Sequence, residues 1–255
     1  MYRYSGAGNT FVVLDGRGRD VSDYRRKETV TALCSRNGTD GLMILLESRR
    51  CDFRMEFFNP DGSCGMMCGN GGRCITAFAA QLGIVPANGR KYVFEAPDGA
   101  HSAEILPDAG TVRTVRLKMK EPSVPREVPG GWFIDTGARH YVRMVEDVEE
   151  VDIMEEGRRY RFLPEFAPEG VNVDFVQKLS DGSIKLRTFE KGVEGETLAC
   201  GTGAVASAVV MSMKDGNSYD PFRMTVRARI ADLEVERSGE GTFLTGPAEC
   251  LGVCD

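Results

Sequence analysis

The 255-residue chain carries 42% hydrophobic and 27% charged residues, a formal net charge of −6 and a pI near 5.2. That balance fits a soluble protein of one large domain or two ordinary ones, and it excludes the basic face that nucleic acid or an anionic membrane would demand of a partner. No stretch approaches the roughly 20 apolar residues that span a bilayer, and Met1-Tyr2-Arg3-Tyr4-Ser5-Gly6 lacks the apolar core of a secretory signal. The expected setting is therefore the reducing cytoplasm, where the eight cysteines are thiols and not a disulfide framework, and the expected partner is a small molecule.

In chain order, the first strong helical pattern covers roughly 27–36, the second 71–82 closed by Gly83, and the third 203–214 closed by Asp215-Gly216. Between them run short β-branched and aromatic segments cut by turn residues, such as Tyr92-Val93-Phe94-Glu95-Ala96 before Pro97-Asp98-Gly99, 112–119 and 184–189. His101 follows that turn and reads as a surface turn residue. The charged stretch from Glu146 to Glu156 reads as a solvated face. The second and third helices are apolar on every side, which predicts that each is buried inside a wrap of strands. Segment 121–131, Glu-Pro-Ser-Val-Pro-Arg-Glu-Val-Pro-Gly-Gly, suits an exposed connector and marks a boundary between halves 1–120 and 121–245.

The same order of features recurs on both sides of that boundary: strand, polar turn, a Cys-Gly-x-Gly step, buried helix. Phe58-Asn59 precedes Cys68-Gly69-Asn70-Gly71, and Phe189-Glu190 precedes Cys200-Gly201-Thr202-Gly203, at spacings of nine from Asn59 to Cys68 and ten from Glu190 to Cys200. Each cysteine stands where backbone N–H groups and the positive end of a helix dipole stabilise a thiolate, by ~0.3–1 kcal/mol when exposed and up to about 2 when partly buried. A thiol starting near ~8.5 needs more than that to ionise, so nearby proton acceptors are required, and His140 and Glu190 are the candidates. The same N–H groups cradle a carboxylate. Two such cradles could hold an α-carboxylate while negative charge builds beside it, and two thiols from two similar halves could take a proton from one face of a carbon and return one to the other without a cofactor.

Other readings of these residues are weaker. Cys34, Cys51, Cys64, Cys74, Cys250 and Cys254 read as buried structural thiols. Cys64, Cys68 and Cys74 lack the paired C-x2-C spacing of a zinc site, so no metal is expected. Gly201-Thr202-Gly203-Ala204-Val205-Ala206 matches the dinucleotide fingerprint, yet the strand at 184–189 ends too far upstream to make its strand-to-helix turn, which weakens a nucleotide-dependent oxidoreductase.

The chain resembles the diaminopimelate epimerase family over nearly its whole length. The resemblance is carried by Gly6-Ala7-Gly8-Asn9-Thr10-Phe11, Gly38-Thr39-Asp40-Gly41-Leu42, Phe58-Asn59-Pro60-Asp61-Gly62-Ser63, Cys68-Gly69-Asn70-Gly71-Gly72-Arg73-Cys74, Glu169-Gly170-Val171-Asn172, Phe189-Glu190-Lys191-Gly192 and Ala199-Cys200-Gly201-Thr202-Gly203. It implies an α/β fold of the α+β type: two pseudo-symmetric domains, each a strand wrap around a central buried helix, with the active site in the cleft between them and a tail at about 246–255 returning to the first. It implies that Cys68 and Cys200 are the acid/base pair, that His140 and Glu190 tune them, and that Gly69, Asn70, Gly201 and Thr202 hold the α-carboxylate. Asn9, Asn59, Asn172 and Glu190 would bind the rest of the substrate, with Lys191 able to meet a distal carboxylate. A homodimer without cofactor, converting LL- to meso-diaminopimelate for lysine and peptidoglycan synthesis, is the implied assembly and activity. Two departures bear on the substrate: Gly137-Ala138-Arg139-His140 lacks the polar side chain and proline common in the family, and Lys191 replaces a two-pronged arginine by a point charge. A racemase of another amino acid is thus the alternative, and a non-catalytic amino-acid-binding protein a more distant one.

Overall fold

A computed structural model describes residues 1–107, 112–216 and 221–254. The chain forms two compact units, Met1–Lys118 with Gly246–Asp255, and Met119–Thr245.

The first unit contains β1 (Tyr2–Gly6), β2 (Asn9–Asp15), α1 (Lys27–Asn37), β3 (Leu42–Leu46), β4 (Phe53–Phe58), α2 (Gly69–Gln81), β5 (Lys91–Ala96), β6 (Gly99–Ile105) and β7 (Val112–Lys118). Neighbours pair in sequence order, antiparallel at β1–β2, parallel at β2–β3, antiparallel at β3–β4, parallel at β4–β5, then antiparallel through β6 to β7. Each parallel step needs a crossover, supplied by α1 and α2 in turn. Strand β3, Leu-Met-Ile-Leu-Leu, is buried along its whole length, as befits a strand covered on both faces. On one side Leu42, Ile44 and Leu46 pack with Val30, Leu33 and Cys34 of α1. α2 touches β1, β2, β3, β6 and β7, and every residue from Gly69 to Ala79 is buried. The C-terminal segment returns here, pairing Ser5 with Glu249 and Tyr2 with Val253.

The second unit contains β8 (Arg126–Val128), β9 (Gly131–Asp135), β10 (Arg139–Met144), α3 (Ile153–Arg161), β11 (Asn172–Lys178), β12 (Ile184–Glu190), β13 (Gly195–Thr197), α4 (Gly201–Lys214), β14 (Phe222–Arg227), β15 (Asp232–Ser238) and the start of β16 (Gly241–Val253). The alternation repeats: antiparallel β9–β10, parallel β10–β11, antiparallel β11–β12, parallel β12–β14, then antiparallel through β15 to β16. α3 and α4 take the places of α1 and α2 as crossovers, and α4 touches strands β9, β10, β11, β12, β14 and β15. Two copies of one α+β unit, each with strands around a buried apolar helix, agree with the expected fold class. Among the described residues no helix is long and apolar enough to cross a membrane.

Several expectations need correction. α2 and α4 begin at Gly69 and Gly201, two residues before the expected starts, because the glycine step is itself the first helical turn. The charged stretch at 146–156 is not simply a solvated face, since its end opens α3. Ile153, Gly157, Tyr160 and Arg161 form a buried stripe, Asp152 caps the Met154 and Glu155 N–H groups, and Arg158, Arg159 and Arg161 occupy the last turn, where the dipole favours cations. His101 lies within β6 and stacks on Phe94 at 5.6 Å, so it is a strand residue and not a turn residue. Cys64 and Cys250 are exposed and Cys51 and Cys254 half-buried; only Cys34 and Cys74 of those six are buried. The connector at 121–131 contributes β8 and the first residue of β9.

Gly157 shows how tightly α3 sits on its sheet, since a Cβ there would lie 2.4 Å from Phe189 Cβ and 2.5 Å from its Cγ. These atoms are close to the backbone and cannot swing aside. The helix propensity gained by Gly157→Ala, ~1 kcal/mol, is opposed by an overpacking cost of ~1–3 kcal/mol or more. Urea unfolding of Gly157→Ala should show a net loss of ~1–2 kcal/mol, whereas Gly83→Ala, at φ +76 with open space around it, should lose only its left-handed backbone preference.

Candidate active site

Both cysteines of the repeated step are helix N-caps with extended backbone, Cys68 at φ −108, ψ 155 and Cys200 at φ −108, ψ 110. In each, the sulfur accepts a hydrogen bond from the N–H three residues on, Gly71 to Cys68 Sγ at 3.2 Å and Gly203 to Cys200 Sγ at 3.4 Å. Crowding favours glycine at both positions, more strongly at 203. A Cβ on Gly71 would meet both Cys68 Sγ and Met43 Sδ at 3.3 Å, and one on Gly203 would lie 2.5 Å from Asp174 Oδ1.

Around Cys68, polar groups form a connected run. Arg73 is fully buried in α2; its guanidinium donates to Asn70 Oδ1 at 2.8 Å, to the Gly69 carbonyl at 3.2 Å and to the Pro247 carbonyl at 3.2 Å, and burial alone pushes its pKa down. Asn70 donates in turn to Asn9 Oδ1, and Asn9 to Asp40 Oδ2 at 3.4 Å. Asp40 also accepts from the Thr10 N–H at 2.8 Å. Asn9, Gly69 and Asn70 are thus brought to one helix start. Asn59 lies in the turn after β4 with its amide donating to Ser63 Oγ at 3.0 Å.

Around Cys200 the network is denser. His140 on β10 is fully buried, with Nδ1 2.7 Å from Asp174 Oδ2 and Nε2 3.0 Å from Thr202 Oγ1. Thr202 Oγ1 is 3.5 Å from Cys200 Sγ. Thr136 Oγ1 donates to the Thr202 carbonyl at 3.2 Å, and Thr188 Oγ1 donates to the other oxygen of Asp174 at 2.7 Å. Asn172 pairs in register with His140; its amide donates to the Arg139 carbonyl at 3.1 Å and its oxygen accepts the Lys191 N–H at 2.8 Å. Glu190 accepts from Thr197 Oγ1 at 2.9 Å, while Lys191 is exposed. Arg139 pairs with Glu169 and stacks over Phe133 at 5.4 Å.

The helix dipole does not decide the state of Cys200. Burial is the largest influence and pushes its thiol pKa well up, the Glu190 and Asp174 carboxylates add to the rise, and the Thr202 hydroxyl and Gly203 N–H only partly offset it. The resting group is a thiol. The Glu190 charge works against a thiolate at Cys200. His140 reaches Cys200 by way of Thr202.

The sequence reading missed Asp174, Thr188, Thr136 and Asp40. A signal for Asp174 was present: a single carboxylate in the apolar run Val171-Asn172-Val173-Asp174-Phe175-Val176, two residues from Asn172 and so on its face of the strand. Among the described residues no group of three or more His, Cys, Asp or Glu side chains could hold a metal ion.

The fold is shared with proteins of several activities. A phenazine biosynthesis protein of the PhzF family from Bacillus anthracis superposes with a TM-score of 0.72 at 14% identity, covering 99% of this chain and 96% of its own. A hydroxyproline epimerase from Agrobacterium vitis, solved with trans-4-hydroxy-L-proline, gives 0.66 at 14% identity over 98% and 88%. In sequence, the diaminopimelate epimerase of Aquifex aeolicus (strain VF5) is 39% identical over 96% of this chain and 93% of its own length, and that of Chlorobaculum tepidum 39% over 97% of each. The model of the family described as Diaminopimelate epimerase matches residues 1–124 and 132–251. The chain belongs to the diaminopimelate epimerase family.

The burial pattern makes a prediction about thiol reactivity. Timed alkylation of the native protein at neutral pH, read by peptide mass spectrometry, should label Cys64 and Cys250 well before Cys200, because the latter is both inaccessible and protonated.

Proposed function

We propose that this protein is a cytoplasmic, cofactor-independent isomerase that converts LL-diaminopimelate to meso-diaminopimelate, serving lysine and peptidoglycan synthesis, with Cys68 and Cys200 as its acid/base pair. The observation that carries the reading is the repetition of one arrangement in two copies of one unit: a cysteine N-cap whose sulfur accepts the N–H three residues on. Family membership supplies the substrate.

In the proposed turnover one cysteine, as thiolate, takes the α-proton. The C–H bond breaks, an S–H bond forms, and the electron pair moves toward the α-carboxylate. The other cysteine, as thiol, gives its proton to the opposite face of the carbon. Cys200, held protonated at rest, is suited to be the donor in a turnover that starts from that state, with Cys68 removing the proton; the roles exchange in reverse. Helix-start N–H groups around Gly69-Asn70 and Gly201-Thr202 hold the carboxylate, where fixed donors act on developing charge. Asn9, Asn59, Asn172, Glu190 and Lys191 bind the remaining amine and carboxylate, His140 and Glu190 set the proton affinity around Cys200, and the working assembly is a homodimer.

The test is epimerisation of LL-diaminopimelate by purified protein in heavy water. Cys68→Ala and Cys200→Ala should each abolish inversion while the fold persists by circular dichroism, and Cys64→Ala and Cys250→Ala should remain active. Inversion at full rate in Cys200→Ala would overturn the two-cysteine reading.

The substitutions at Ala138, Arg139 and Lys191 favour one second reading, a racemase of a different amino acid. The amides of Asn59 and Asn172 and the Glu190 carboxylate, proposed here to bind the substrate, suit one with polar groups at its far end better than a simple apolar one. Lys191→Ala should lower kcat/KM for diaminopimelate about 10- to 100-fold, the equivalent of a charged hydrogen bond worth ~1.5–3 kcal/mol, with monocarboxylate amino acids poor substrates throughout. Exchange of another amino acid's α-proton, with diaminopimelate untouched, would establish the racemase.

A further inference from the structure

The interior of the second unit holds a carboxylate that the proposed reaction does not yet use. Asp174 is fully buried, and both its oxygens are engaged: Oδ2 by His140 Nδ1 at 2.7 Å, Oδ1 by the Thr188 hydroxyl at 2.7 Å. It is fixed by cross-strand register, Asp174 facing Thr188 on β12 and Val142 on β10, and by the glycine at 203 that lets α4 approach it.

Two independent contacts define the proton positions on the imidazole. A carboxylate oxygen can only accept from its partner on this ring, so Nδ1 carries a hydrogen. On the other side, the Asn172 amide nitrogen stands 3.5 Å from Nε2. That nitrogen is identified by its own neighbour, since Asn172 Oδ1 must be the atom that accepts the Lys191 N–H at 2.8 Å. An amide NH2 facing Nε2 fits a lone pair there. These contacts fit the Nδ1–H tautomer, with the Nε2 lone pair toward the Thr202 hydroxyl at 3.0 Å, and that hydroxyl in turn is 3.5 Å from Cys200 Sγ.

We infer that Asp174 is a positioning residue that holds His140 in this tautomer, so that Nε2 can receive the Cys200 proton through the Thr202 hydroxyl. The inference rests on the proposed role of Cys200 and concerns the reverse direction, in which Cys200 must first become the thiolate that removes the α-proton. In the relay the Cys200 S–H bond breaks as its proton joins Thr202 Oγ1, and the original Thr202 O–H breaks as its proton joins Nε2. The products are a thiolate, an intact hydroxyl and an imidazolium paired with the Asp174 carboxylate. Net charge is −1 for these four side chains before and after, with no outside reactant. That conservation matters in a buried site, where creating an uncompensated thiolate near Glu190 and Asp174 is opposed by desolvation and by like charge. Run backwards, the relay reprotonates Cys200.

The chain has two histidines, so His101→Gln leaves His140 as the sole imidazole for nitrogen NMR on 15N-histidine-labelled protein. The expected spectrum shows a protonated Nδ1 and an unprotonated Nε2 at neutral pH. Asp174→Ala in that background should move the hydrogen to Nε2. Asp174→Asn, nearly the same shape and so the variant more apt to fold, removes the charge that pairs with the imidazolium; its kcat/KM for meso-diaminopimelate, the direction in which Cys200 is the base, should fall at least about 10²-fold with its unfolding midpoint little changed, in line with the large loss when the carboxylate behind a catalytic histidine is neutralised elsewhere. A wild-type ring protonated at Nε2, or a folded Asp174→Asn enzyme with wild-type kcat/KM, would overturn the inference. If the tautomer results hold but no protein exchanges the diaminopimelate α-proton, the proposed function fails and the assignment of the tautomer stands.

Discussion

Everything particular about this protein follows from the need to finish the N-terminus of a helix that is apolar on every side. α2 and α4 are buried along nearly their whole length, so the N–H groups of their first turns have no ready access to bulk water. A serine or aspartate would be the common cap. Here the cap is a cysteine, whose sulfur is a weaker acceptor and leaves the N–H groups of the first turn less fully engaged. Such an end is both a place to hold an anion and a place where sulfur chemistry is presented to it. Crowding then bears on the glycines at 71 and 203, since a side chain there would press on the sulfur or on the carboxylate behind it.

The two caps are built alike and surrounded differently. A fully buried guanidinium stands one turn from Cys68, bound to carbonyl oxygens and an amide and, among the described residues, to no carboxylate. Cys200 instead has Glu190 and Asp174 within electrostatic reach, and a histidine reached through a hydroxyl. Duplicated topology supplies two equivalent positions, and within each unit the neighbours of the cap differ. A reaction that requires one group to take a proton while another gives one away is served by caps with different surroundings, because two identical caps would rest in the same state.

The fold was legible because its signals are local and repeated. Strands cut by turn residues, an all-apolar helix, and the Cys-Gly-x-Gly step each depend on a few adjacent residues, and their recurrence on both sides of 121–131 doubled the evidence. α3 was overlooked since its charged residues dominate the stretch from Asp152 to Arg161, and its buried stripe of Ile153, Gly157, Tyr160 and Arg161 includes a glycine and an arginine, neither of which registers as apolar. Arg161 is buried by its ion pair with Glu194, a partner 33 positions away that no local pattern contains. The candidate site divides the same way. Cys68, Cys200, Asn70 and Thr202 sit inside the repeated step and could be read directly. Asp174 could be noticed only as a misplaced charge, because what gives it a role is the register that sets β11 between β10 and β12. The direction of the Cys200 shift was misjudged for a related reason: the dipole is visible in the sequence, whereas the depth of burial and the two carboxylates nearby are properties of the packed unit.

The departures from the family pattern can be weighed against this framework. Arg139, which stands in place of the usual proline, is committed to Glu169 and lies over Phe133, so it completes local structure on the outer side of β10 while its carbonyl still receives the Asn172 amide. His140, the next residue, keeps its place between Asp174 and Thr202. At the other departure, the Lys191 N–H is bound by Asn172 Oδ1, and the turn beyond it is fastened by Glu194, which accepts from the Gly192 N–H at 3.0 Å and from the Arg161 guanidinium. The backbone around 191 is therefore held by contacts of Asn172, Glu194 and Arg161 that do not involve the Lys191 side chain. Both departures thus lie beside the contacts that hold His140 and Asn172 in place, and those contacts are made without the side chains at 138, 139 and 191.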